Sequence, residues 1–220
     1  MNRQEKRELI AKRIAAEFKD GDVVNLGIGL PSLVANYIPE DYDIMLHGEN
    51  GLAGIGPTPE PGEEDPNLTN ASGQPATIIP GGSFFDTAVS FIIVRGGHLD
   101  ITVLGALQVD SKGNLANWMV PGKLVPGMGG AMDLTVGAKK VIVATEHVTK
   151  TGQPKVVGEC NLPLTAKGEV NMIVSDMAVM EVTPDGLLLK EIATDTTLEE
   201  VKKATGAELI VARDLKTFSL

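Results

Sequence analysis

Cysteine is nearly missing: Cys160 stands alone in 220 residues. A single cysteine cannot close an intramolecular disulfide, which fits a reducing compartment. With no His pattern beside it, it reads as a buried structural thiol. Histidine is also scarce. His47, His98 and His147 lie far apart with no H-x-x-x-H spacing, so no metal site is expected. Aromatics are 4% of the chain, so the core must come from Val, Ile, Leu, Met and Ala. Positive charge is in deficit, with 19 Lys and Arg against 29 Asp and Glu. That argues against nucleic acid, although a few cations and backbone N–H groups can still bind a small anion. Long apolar runs are absent too. None approaches the ~20 residues of a membrane span, and "MNRQEKRELIAKRIAAEF" is too charged and periodic for a signal core. The expectation is a soluble cytoplasmic protein with no membrane partner.

What the chain does have is glycine, 25 residues of it, and short apolar runs between turn signals. Leu9, Ile10, Ile14 and Phe18 lie near helical spacing within 5–18, followed by "KDGD" with Gly21 as a cap. "VVNLGIG" and "YDIMLH" read as buried strands, with "PSLVANYI" as a helix between them. Residues 57–75 carry Pro, Gly, Asn and acids with no period and read as a long surface loop of unassigned role. Then come "ATIIP" as strand, "FFDTAVSFIIVRGG" as helix, "LDITVLGALQV" as one buried strand or two, and "KVIVAT" as another. "AVMEVTPDGLLLKEI" is a hairpin around Pro-Asp-Gly. "TTLEEVKKATGA" is a helix capped by Thr196 or Thr197, and "ELIVA" is a last strand. The alternation predicts an α/β fold: an open, mainly parallel sheet with helices on both faces and a C-terminal antiparallel hairpin. No repeat or linker interrupts it, so 1–220 is expected to be one domain.

Three glycine-rich stretches could carry chemistry. In "MLHGENGLAGIG", residues 45–56, four glycines surround Glu49 just after a strand. In open α/β sheets ligands gather at the carboxyl ends of strands. A carboxylate there can act as a nucleophile and form an acyl or thioacyl enzyme; it can equally be a turn glutamate facing water. In "PGKLVPGMGGAMDLTVGAKK", residues 121–140, Gly127, Gly129 and Gly130 precede an apolar segment. Their N–H groups could converge on an oxyanion or phosphate, or the stretch is a tight connecting loop. "NLGIGLP" is a strand-to-helix turn of the kind that binds anions. Ser32 stands where a dinucleotide fingerprint needs its third glycine, and no Walker lysine follows.

Taken together, "GENGLAGIG", "PGGSFFD", "FIIVRGGHLDITVLGALQVD", "GNLANWMVPGKLVPGMGGAMDL" and "EHVTKTGQPKVV" resemble the β subunit of the family I 3-oxoacid CoA-transferases. The resemblance runs from near the first helix almost to the C-terminus. It implies the three-layer α/β/α fold of those enzymes and transfer of CoA from an acyl-CoA to an acceptor carboxylate. It implies Glu49 as nucleophile, passing through a glutamyl-CoA thioester, with Gly130 and then Gly129 lining the oxyanion site. Gly27, Ile28 and Gly29 would touch CoA, as would Lys150 and, in matching motifs, Gln108 and Asn117. Coenzyme A is a substrate, with no tightly bound cofactor and no metal. The chain is too short to hold both halves of such an enzyme, so an α subunit is the implied partner, in an α2β2 or larger assembly. The competing readings are an acyl-CoA hydrolase on the same scaffold, a non-catalytic small-molecule sensor, and a sugar-phosphate isomerase of similar architecture.

Overall fold

The computed structural model describes residues 1–123, 125 and 127–219. The chain opens with α1 (Arg3–Ala15), then β1 (Val23–Leu26), a 3-10 helix (Pro31–Tyr37), β2 (Met45–Gly48) and β3 (Leu52–Ile55). Next come β4 (Ile78–Phe84), α2 (Thr87–Arg95), β5 (Leu99–Gly105), β6 (Gln108–Asp110), β7 (Leu115–Ala116) and α3 (Ala131–Gly137). The last part holds β8 (Ala138–Thr145), β9 (Val156–Val157), β10 (Met172–Ser175), β11 (Ala178–Thr183), β12 (Gly186–Ala193), α4 (Leu198–Ala204) and β13 (Leu209–Phe218).

Ten strands form one sheet in the order β13-β12-β11-β10-β8-β5-β1-β2-β3-β4. The middle five, β10, β8, β5, β1 and β2, are all parallel. Antiparallel strands flank them on both sides, β11 and β12 at one end and β3 and β4 at the other. The antiparallel C-terminal hairpin is as expected; the β3–β4 flank is an addition. A three-stranded sheet, β7-β6-β9, lies apart.

Burial on both faces explains the unbroken apolar runs. In β8, Ile142 and Ala144 enter one core while Val141 and Val143 enter the other. In β10, Met172 and Val174 alternate with Ile173 in the same way. The first core is closed by α1, through Leu9, Ile10 and Ile14, and by the 3-10 helix, through Val34. The second is closed by Val94 of α2, Leu134 of α3, Val201 of α4 and the small sheet. Helices on both faces are therefore observed. A half-buried ion network fastens α1: Arg13 bridges Glu17 and Glu191, and Lys140 reaches Glu17 at 2.6 Å.

Several boundaries differ from expectation. The first helix starts earlier, because Asn2 caps it through Gln4 and Glu5, and it ends at Ala15 rather than 18. Gly21 sits beyond it at φ +84°, in the turn into β1. "PSLVANYI" forms a 3-10 helix, not an α-helix. "ATIIP" begins a strand that runs on through "GGSF", and Asp86 caps α2 at the Val89 N–H. "LDITVLGALQV" is two strands in two different sheets. Thr197, not Thr196, caps α4, in a reciprocal box with Glu200.

Candidate active site

β1 is where the winding reverses. The connection from β1 to β2 passes over the α1 face, through the 3-10 helix. The connection from β5 to β8 passes over the opposite face, through α3. The carboxyl ends of β1 and β5 are thus left uncovered between diverging connections, which is where ligands bind in open α/β sheets. A cavity of about 510 Å³ opens there. Its walls come from Asn25–Ile28 after β1, Leu104–Leu107 after β5, and Gly127–Ala131 leading into α3. Glu49, Ala71, Asn117 and Leu134 complete it.

Glu49 reaches this cavity from a tight hairpin. β2 and β3 pair as His47 with Ala53 and Gly48 with Leu52, so Glu49, Asn50 and Gly51 form the turn. Gly51 has φ +108°, and a side chain there would collide with the Phe85 carbonyl. The Phe85 N–H in turn bonds the Gly51 carbonyl at 2.9 Å. Asn50 is spent outside the site, donating its amide to the Thr69 carbonyl at 2.8 Å. The 57–75 loop, whose role the sequence left open, thereby folds back over the hairpin and brings Ala71 into the cavity wall. It also roofs a neighbouring cavity of about 660 Å³, lined by Asn70, Ser72, Gln74 and His47.

The carboxylate of Glu49 is half-buried, and burial pushes its pKa up; the backbone N–H of Gly130 pulls the other way. Gly130 has ordinary helical-entry angles, φ −84° and ψ 4°. It is glycine for lack of room: a Cβ would run into Glu49 Oε2 and stand 2.8 Å from the Phe91 ring. Gly129 differs. It has φ +52°, and the nearest neighbour of a Cβ would be Glu49 Oε1 at 3.5 Å, an ordinary contact. The 121–140 stretch thus turns against Glu49; two of its positions, Leu124 and Pro126, lie outside the described residues.

The other expected positions separate. Gly27 and Ile28 line the cavity, whereas Gly29 lies outside its lining. The Gly27 N–H is already bonded to the Val103 carbonyl at 2.8 Å, so this residue offers space rather than a donor. Asn117 lines the cavity, its orientation fixed by the Thr165 hydroxyl, which donates to Oδ1 at 2.6 Å. Gln108 lies outside the lining; its Oε1 accepts the N–H groups of Asn161 and Leu162. Lys150 lies outside as well, on an exposed turn. Among the described residues no group of three or more His, Cys, Asp or Glu could hold a metal ion. Burial and the nearby Asp110 push the Cys160 thiol up to about 12, which leaves it protonated.

Asn25 was not singled out by the sequence, and His47 was weighed there only as a metal ligand. Asn25 is 3% exposed, donates to the His47 carbonyl at 3.0 Å and accepts from Thr102. It ties β1 to β2 below Glu49. The His47 ring stacks on Phe85 and meets Ser90 of α2 at 3.1 Å; burial lowers its pKa, so it stays neutral. The sequence signal was one polar residue inside each apolar run.

Sheet, switch point and cavity define an α/β protein with a carboxylate poised at its ligand crevice. The chain matches the model of the "Coenzyme A transferase" family over residues 7–204 and belongs to that family. It is 53% identical to the acetate CoA-transferase subunit beta of Haemophilus influenzae, over 97% of this chain and 96% of that one. It is 52% identical to the mitochondrial succinyl-CoA:3-ketoacid coenzyme A transferase 2A of Rattus norvegicus, over 96% of this chain but 41% of that longer one. A solved acyl-CoA transferase of Escherichia coli O157:H7, in a thioester complex with CoA, superposes with a TM-score of 0.77. It is 20% identical and covers 100% of this chain and 44% of its own, a likeness of fold. The chain is thus a CoA-transferase of the β-subunit type. No helix among the described residues is long and apolar enough to cross a membrane.

Proposed function

We propose that this chain is a single-domain cytoplasmic β subunit that moves CoA from an acyl-CoA to a 3-oxoacid or short-chain carboxylate, with Glu49 as the covalent carrier. One observation carries the reading: a half-buried carboxylate on a glycine hairpin, held against the Gly130 backbone in a cavity at the sheet's switch point. A Glu49 oxygen attacks the thioester carbonyl carbon. The C–S bond breaks, CoA leaves as thiolate, and Glu49 becomes a mixed anhydride. The thiolate then attacks Cδ of Glu49 and expels the donor carboxylate, leaving a glutamyl-CoA thioester. An acceptor carboxylate reverses both steps, giving ping-pong kinetics.

Each attack builds negative charge on an oxygen. We assign the N–H groups of Gly129 and Gly130 as its donors, on the strength of their nearness to Glu49, and losing one such donor costs about 3 kcal/mol. Gly27, Ile28 and Asn117 give the thioester arm of CoA its wall. Apolar neighbours such as Leu104, Leu107 and Leu134 keep water from the anhydride. Among the described residues no cation lines the cavity, so the counter-charge for a carboxylate substrate falls to an α subunit.

The test is intact mass of this chain within its native complex, recovered by a tag on the chain, after adding acetoacetyl-CoA or succinyl-CoA. The expected product is one CoA joined through loss of water, mapped to Glu49 and discharged by an acceptor carboxylate. Glu49→Gln should give neither adduct nor transfer. An active complex whose Glu49→Gln form still turns over overturns the assignment.

A further inference from the structure

The helices of this chain do not all present the same kind of outer surface. α1 turns Arg3, Gln4, Glu5 and Lys12 toward water, and α4 carries Glu199, Glu200, Lys202 and Lys203. These are the charged outer faces expected of surface helices. α2 and α3 lie side by side on the other helical layer, and their outward positions are apolar. Ile92 is 67% exposed and Val136 71%, with Val89 and Met132 beside them. Phe84, 66% exposed, stands at the end of β4, the last strand of the sheet, just before α2. The one charged pair bridging the two helices, Arg95 with Asp133 at 2.7 Å, cancels itself. In a chain of net charge −10, the two helices carry no net charge on this face. A contiguous exposed apolar patch of this kind marks an interface.

The patch adjoins the cavity. Phe91 of α2 turns its ring inward against Gly130, beside the Glu49 carboxylate, while Ile92 next to it points out. The lengths of the rat relative and the E. coli acyl-CoA transferase point to the occupant: in each, the part matching this chain is 41% or 44% of one longer polypeptide. In the Haemophilus relative, named a β subunit, it is nearly the whole chain. What is covalently attached in the long forms must be held by a surface in the separate form.

We infer that the face formed by α2, α3 and Phe84 is where the α subunit docks. This rests on the α-partner reading given above. The partner so placed stands over the Phe91–Gly130 wall and can close the Glu49 cavity from that side.

The test compares amide exchange of the chain alone with exchange in the native complex recovered by its tag. Slower exchange over 87–95 and 131–137 is expected, with α1 and α4 unchanged. A variant carrying Ile92→Glu and Val136→Glu, both at water-facing positions, should melt like the wild type yet recover at least tenfold less partner. A Glu199→Lys control on α4 should recover the normal amount. The inference is overturned if the complex protects α1 or α4 instead, or if the charged variant keeps its partner. It is also overturned if the face pairs two copies of this chain and stays freely exchanging in the complex. The outcome is separate from the chemistry, because the Glu49 adduct is read on the unmodified complex whichever face holds the partner.

Discussion

Replacing Gly130 by alanine adds one carbon at the point where the carboxylate, the backbone and α2 meet. The backbone angles at Gly130 suit any L-residue, so no strain arises from φ. The cost is spatial. The new Cβ would overlap Glu49 Oε2 and crowd Phe91 Cζ at 2.8 Å and Cε1 at 3.0 Å. Phe91 is fixed between α2 and the glycine loop, whereas Glu49 is the free end of a side chain, so Glu49 moves. A displacement of about 1 Å at a reacting atom costs roughly a hundredfold in rate. Overpacking of this size costs the fold about 1–3 kcal/mol. The expected result is a folded complex whose kcat for CoA transfer drops by about a hundredfold or more. Gly129→Ala is the contrast. It meets no atom closer than 3.5 Å but must hold φ +52°. It should lose about 1 kcal/mol of stability and much less activity. Both variants are assayed for transfer in the native complex and for Tm. If Gly130→Ala stays within about threefold of wild type, or if Gly129→Ala matches its loss, steric placement of Glu49 by Gly130 is wrong.

Three further expectations concern titration. Burial raises the Glu49 pKa above 4.5, so its ionised form opposes folding, and this opposition grows as pH climbs through the raised value. Glu49→Gln should therefore be at least as stable as wild type at pH 7. The gap should close below the ordinary glutamate range in melts across pH; a less stable variant at neutral pH refutes it. In the wild type, kcat/KM should fall on the acid side at a pH above 4.5. His147 behaves in the opposite sense. It is fully buried between the hydroxyls of Ser175 and Thr205, and burial lowers its pKa to about 4. Its contribution is full above 6.5 and drains away as pH falls toward 4, roughly 3 kcal/mol in all. His147→Gln should flatten that part of the stability–pH curve measured by denaturant melts, whatever its absolute stability; an unchanged slope counts against it.

What could be read ahead of the structure follows from how local each signal is. The strands around "KVIVAT" and "LDITVLG" were legible because burial on both faces demands apolar residues at every position. β3 and the second half of β4 were obscured by glycine. Gly54 sits at φ +80° where the pairing slips between Ala53 and Ile55, and Gly82 lies so close to the Ala53 carbonyl that no side chain fits. α3 had no helical signature of its own. Its seven residues include Thr135, Val136 and Gly137, and Gly137 is there because a Cβ would strike the Val94 carbonyl of α2. That constraint belongs to a pair of helices, not to a stretch of sequence. The site divides in the same way. Glu49 announced itself by the glycines around it, whereas Asn25, His47 and Phe91 matter through neighbours 22 to 77 residues away. Gln108 and Lys150 came from motif position alone, and the cavity is lined without them.

Two carboxylates of this chain, Asp110 buried and Glu49 half-buried, contrast a structural acid with the proposed nucleophile. Asp110 is fully buried, and burial alone would raise its pKa. The N–H groups of Cys160, Asn114 and Lys112 and the Asn114 side-chain amide outweigh that and hold it below the usual range. Its lone pairs are occupied in pinning β6, β7 and the Cys160 segment together, so it has none to offer a substrate. Glu49 is less buried yet shifts the other way, because among the described residues the Gly130 N–H alone stands against its desolvation and no cation lines its cavity. A carboxylate held like Asp110 is a poor nucleophile, since each donated hydrogen bond stabilises the anion that must attack. A carboxylate held like Glu49, with one backbone donor against it, keeps more of its basicity and faces the cavity. On the proposed reading, the glycines around it leave out the side chains that would fill the space of the incoming carbonyl.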